Sequence, residues 1–179
     1  MRLLFLFLTA LLIGGPTTPA DLPVVVANDN RTPAGILENG VLTIRLVVAN
    51  ARWYPENPGG SFTDLPVFAE EGKAPQIPGP LIRVPQGTEI RATIRNALSD
   101  STIRLGGFQS RPAEGRDSIV LGPGELVEAT FRVDAAGTYL YWARSSRKGG
   151  ETDQLAGAIV VDAPGARTDD RILVINIWS

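Results

Sequence analysis

Pro78-Gly-Pro-Leu-Ile-Arg-Val-Pro-Gln-Gly-Thr-Glu-Ile-Arg-Ala-Thr-Ile-Arg-Asn96 is the stretch whose reading decides the fold. It reads as two β-strands joined by a tight turn. Pro80 to Val84 is a short apolar run, and Pro85-Gln86-Gly87 stops it. Proline fixes φ there, and glycine reaches conformations that other residues avoid. Thr88 to Asn96 then alternates, with Ile90, Ala92 and Ile94 on one face and Arg91, Thr93 and Arg95 on the other. A period of two with one apolar face is the pattern of a half-buried strand.

The pattern repeats on both sides. After the Pro123-Gly124 turn, Glu125 to Val133 puts Val127, Ala129, Phe131 and Val133 on one face and Glu128, Thr130 and Arg132 on the other. Val41 to Val48 is rich in β-branched residues, which favour strands. Thr138 to Trp142, Ala156 to Val161 and Ile172 to Trp178 are further strand candidates. Asp21 to Glu38 reads as an irregular lead-in. Asn50 to Gly79 reads as a long connection rich in Pro and Gly, holding at most a short strand at Pro66 to Ala69. No window of helical length carries a 3.6-residue period. The sum predicts an all-β fold, a Greek-key sandwich or barrel.

Composition removes whole classes of chemistry. The 179 residues include no His and no Cys, and the one Met is Met1. Cysteine nucleophiles, triads with a His base, disulfides and Cys/His zinc sites are all excluded. So is a copper site of two imidazoles and a thiolate. With 17 Lys+Arg against 19 Asp+Glu the net charge is −2, which gives no attractive field for nucleic acid. Met1 to Ala20 has the layout of a secretory signal: Arg2, the apolar run Leu3 to Ile13, then small residues at Thr18-Pro19-Ala20. The expected location is secreted or periplasmic. The apolar run is shorter than the ~20 helical residues a bilayer needs, so no membrane span is expected.

Five segments in order resemble the N-terminal cupredoxin (plastocyanin-like) domain of the multicopper oxidase family. They are Pro78 to Thr88, Ile90 to Asn96, Pro123-Gly124-Glu125, Gly137-Thr-Tyr-Leu-Tyr141 and Gln154-Leu-Ala-Gly-Ala-Ile-Val-Val161. The resemblance covers roughly Gly40 to Asp162 and implies a cupredoxin fold. For the family it implies copper-dependent oxidation of substrate with reduction of dioxygen. Two His-x-His pairs of this domain help hold the trinuclear copper cluster in that family. The matching positions here are Arg104 and Gly106, then Trp142 and Arg144. Arg and Trp are donors only and Gly has no side chain, so none of the four can take the place of an imidazole. The resemblance thus implies copper for the family but none bound by this chain, which alone is expected to be inactive. Converging arginines need anions or water. One expectation is an ion-pair and stacking cluster of Arg104, Arg144, Glu151 and Asp153, with Trp142 against a guanidinium. The alternatives are two solvated arginines, or an anion site helped by Arg111, Arg116, Arg147 and Lys148.

Other motifs carry less. Glu70-Glu71 and Asp169-Asp170 are adjacent, so on strands their side chains diverge and make no acid/base couple. There is no nucleophile elbow, phosphate loop or calcium loop. Tyr139, Tyr141 and Trp142 read as strand packing more readily than as a stacking surface. Residues 21–162 are expected to form the cupredoxin-like domain and 163–170 a linker. Residues 171–179 resemble the opening of a second cupredoxin domain; the alternative is a last strand of the same sandwich. Two functions stay open: the copper-free first domain of a larger oxidase-like protein, with further cupredoxin domains as partners, or a self-standing module that binds a protein or small ligand.

Overall fold

The computed structural model describes residues 21–109, 118–147, 154–167 and 169–175. Among these every regular element is a strand: β1 (Val26–Ala27), β2 (Ile36–Glu38), β3 (Val41–Trp53), β4 (Thr63–Glu70), β5 (Gln76–Ile77), β6 (Gly79–Pro85), β7 (Thr88–Asn96), β8 (Ile103–Gly106), β9 (Ile119–Leu121), β10 (Leu126–Val133), β11 (Gly137–Ser145) and β12 (Ala156–Asp162). They form two mixed sheets. The seven-stranded sheet runs β1-β5-β4-β3-β7-β10, with β2 also on β3; the five-stranded sheet runs β6-β12-β11-β8-β9. The parallel pairs β3/β7 and β6/β12 mark where the chain crosses between sheets. The expected all-β sandwich of cupredoxin type is the fold observed.

The alternation read from the sequence is what closes the core. Leu42, Ile44, Leu46 and Val48 of β3, Phe68 of β4, Ile90, Ala92 and Ile94 of β7, and Phe131 and Val133 of β10 face inward from one sheet. Ile82, Val84, Ile103, Leu105, Leu121, Tyr141, Ala143, Ile159 and Val161 meet them from the other. Tyr141 is fully buried and packs edge-on to Phe68, with ring centroids 5.0 Å apart.

Three expectations need correction. The stretch from Asn50 to Gly79 is not one long connection: β3 runs on to Trp53 and β4 is eight residues long. Pro66 hid that strand, because proline lacks a ladder donor. It is accommodated where β4 has only β3 beside it, since β5 joins β4 at Phe68 alone. The lead-in from Asp21 to Glu38 carries β1 and β2, too short to show a period. Finally, residues 172–175 form no strand; 176–178 lie outside the described residues. Ile172 and Val174 instead pack on Leu81, Ala158 and Val160, on the outer face of the five-stranded sheet. Arg83 pins them there. Its guanidinium donates to both Asp162 oxygens (2.8 and 2.9 Å) and to Asp170 (2.7 Å).

Candidate functional site

The register of β8 on β11 builds the site. Trp142 is the partner of Gly106, and Arg144 is the partner of Arg104. Ile103, Leu105, Tyr141 and Ala143 point into the core. Strand alternation therefore turns Arg104, Gly106, Trp142 and Arg144 together onto the outer face of the five-stranded sheet. The four positions thus lie side by side as two adjacent cross-strand pairs.

Their contacts decide what the place can hold. The Trp142 ring lies across Gly106: a Cβ built there would stand 2.5 Å from Trp142 Cε2 and Cζ2. The Arg144 guanidinium carbon sits 5.8 Å from the centroid of the Trp142 ring, within reach of a cation–π contact. Arg104 Nη1 donates to Ser118 Oγ at 2.8 Å. Beside them lies a shallow cavity of about 290 Å³, reaching Thr102, Val120 and Ser146. The expected partners Glu151 and Asp153 lie outside the described residues, as do Arg111, Arg116 and Lys148.

This donor set does not fit copper. Guanidinium nitrogens stay protonated and the indole nitrogen offers no lone pair. Glycine offers nothing, and its open space is occupied by the indole. The chain contains no His or Cys to replace them. Among the described residues no group of three or more Asp or Glu is placed to hold a metal either. Copper therefore finds no ligand set on this face.

Several other polar side chains have structural work. Glu70 accepts from Lys73 Nζ (2.7 Å) and from the backbone of Gly35 (3.2 Å); Glu71 faces Arg45 at 3.4 Å. Asp169 pairs with Arg167, whose guanidinium holds its carboxyl below the usual range. The Arg83 clamp was missed in the sequence, although a single arginine inside the apolar run Pro80 to Val84 was a visible signal. Its pKa is pushed up, first by the hydrogen bond to Asp162.

Two packed mixed sheets around a core of alternating strands make a cupredoxin-like sandwich. The multicopper oxidase family model matches residues 72–166, more than half of the chain, and the chain belongs to that family. A curated relative from Kuenenia stuttgartiensis, named a probable nitrite reductase-hydroxylamine oxidoreductase fusion protein, is 29% identical over 119 residues. That match takes in 59% of this chain and 14% of the relative. A solved point mutant of the laccase from B. aclada superposes with a TM-score of 0.51 at 20% identity, over 73% of this chain and 23% of the laccase. The copper nitrite reductase from Nitrosomonas europaea matches with a TM-score of 0.49 at 22% identity, over 70% of this chain and 42% of that one. The chain thus spans less than half the length of each. Among the described residues no helix is long and apolar enough to cross a membrane.

Proposed function

We propose that this chain serves as the first plastocyanin-like domain of a larger, exported multicopper-oxidase-like protein. It acts there as a copper-free scaffold. In this reading Arg104, Gly106, Trp142 and Arg144 stand where the family's domain carries its imidazoles, and any oxidation of substrate depends on copper held by other domains. The observation that carries the reading is the indole of Trp142 seated over Gly106, which fills the face with a side chain instead of leaving a coordination site open. Next to it Leu140 and Val120 remain 51% and 53% exposed on the same outer face. An apolar strip flanked by arginines suits contact with a further cupredoxin domain, and the chain's small share of its relatives' length leaves room for one. The leader at residues 1–20 directs the protein to the periplasm or outside the cell.

Two measurements test this. Sequencing the encoding DNA past Ser179 should reveal a His-Cys-His-containing stretch in the same frame; a stop codon there favours the self-standing module. Metal analysis of the purified chain should find no tightly held copper. Stoichiometric copper would overturn the reading of the four positions.

A further inference from the structure

Among the described residues, the outer face of the seven-stranded sheet is covered at one end only. There the segment at 23–27 is strapped on by hydrogen bonds from Val25 N to Arg52 O (2.8 Å), Arg52 N to Pro23 O (2.9 Å) and Val26 N to Pro75 O (2.8 Å). Beside the strap the face stays open as a mostly apolar groove of about 430 Å³. Its floor is Val47, Ala49 and Ala69, on neighbouring strands β3 and β4, with Val67 buried beside them under Val25. One wall is the strap, the other the turn at 72–75. Further along β3 and β7 the same face carries Thr43, Arg45, Arg91 and Thr93, the polar pattern expected of a sheet face turned to water. The change from that pattern to a bare apolar floor is local to the groove.

The charges around it are unequal. Glu70 is paired with Lys73, and Glu71 with Arg45. Arg95 also lines the groove, two residues beyond the Thr93–Arg45 pair, and its side chain makes no ion pair or hydrogen bond among the described residues. One positive charge is left over. A guanidinium matches a carboxylate with two parallel hydrogen bonds. A dianion is disfavoured, because Glu70 and Glu71 already stand at the rim.

We propose that this groove binds a small amphipathic carboxylate, its apolar chain lying on Val47, Ala49 and Ala69 and its carboxylate on Arg95. The volume falls in the range of small-molecule sites. The site lies on the opposite sheet from Arg104 and Trp142, so it stands whether or not the chain docks a further domain.

Octanoate, 1-octanol and sulfate are the probes, titrated into the purified chain by calorimetry and followed by NMR. Octanoate should bind one to one, with shifts centred on Val47, Ala49 and Ala69. Arg95→Gln should weaken octanoate about tenfold and leave octanol unchanged, as expected for loss of one charge-assisted contact. Ala49→Leu fills the floor and should weaken both; as an outward-facing change it leaves the fold intact, which thermal melting checks. Sulfate should not compete. The proposal fails if octanoate does not bind, if Arg95→Gln leaves its affinity unchanged, or if Ala49→Leu has no effect. It also fails if the groove proves to be covered by a second copy of the chain, seen as a dimer in sedimentation that Ala49→Leu dissociates.

Discussion

Gly106 and Trp142 act as one unit. Glycine in a strand interior costs stability through backbone entropy and lost packing, so an alanine there is ordinarily favourable. Here a Cβ would meet the indole at 2.5 Å. Gly106→Ala should therefore destabilise the chain by about 1 kcal/mol, the usual scale of overpacking. In a Trp142→Ala background the same change should be neutral or stabilising. The coupling between the two is what a double-mutant cycle of urea unfolding measures. Tyr141, the next residue, points the other way into the core. Its hydroxyl donates to Pro80 O at 2.6 Å, and its ring lies against Gly157. Tyr141→Phe should cost about 1–2 kcal/mol by leaving that carbonyl unpaired. Burial also raises the hydroxyl's pKa well above 10.0. Above about pH 10 the unfolded chain loses a proton that the folded chain keeps, so stability falls as pH rises from there. Tyr141→Phe should remove that alkaline fall, which denaturation midpoints between neutral pH and pH 11 would show.

The strands are tied at one corner by Asn96, the last residue of β7, which is fully buried. Its side-chain NH₂ donates to the carbonyls of Ser101 (2.8 Å), Gly122 (3.0 Å) and Leu121 (3.1 Å), and its Oδ1 accepts from Leu98 N (3.1 Å). One amide thus fixes where the chain leaves β7, approaches β8 and ends β9. Asn96→Ala strands those groups and should cost about 2–3 kcal/mol. Asn96→Asp keeps the shape but points a carboxylate at three carbonyls, so at neutral pH it should be the more damaging change. Its deficit relative to Asn96→Ala should shrink as acid protonates the new carboxyl, a crossover that urea titrations at pH 7 and pH 4 would reveal. The sequence made the strand visible through Ile90, Ala92 and Ile94, and the resemblance pointed to an Asn at its end. Nothing in the sequence showed what that Asn holds, because its partners are backbone carbonyls 5 to 26 residues away.

Across the molecule, legibility followed the period of two. Strands with one wet face, such as β7 and β10, could be read directly. β4 was obscured by Pro66, β1 and β2 are shorter than any period, and the tail at 171–175 carries strand-like residues but lies across a sheet face under the Arg83 clamp. The site was legible in a different way. Its four positions were placed by resemblance, and their meeting on one face follows from alternation in β8 and β11 plus the register that opposes Trp142 to Gly106 and Arg144 to Arg104. Neighbours along a strand on one face stand about 6.5–7 Å apart, and those across strands about 4.5–5.5 Å. Four imidazoles at these positions would surround one point, and imidazole suits copper. The scaffold is therefore expected to gain a metal site when four histidines are introduced there together. Arg104→His, Gly106→His, Trp142→His and Arg144→His combined should bind at least one equivalent of Cu²⁺ in equilibrium dialysis, with nitrogen hyperfine structure in its EPR spectrum. Gly106→His alone should destabilise the chain and bind none, because the indole still occupies the space. A folded fourfold variant without copper affinity would show that these positions do not share the geometry of a coordination site.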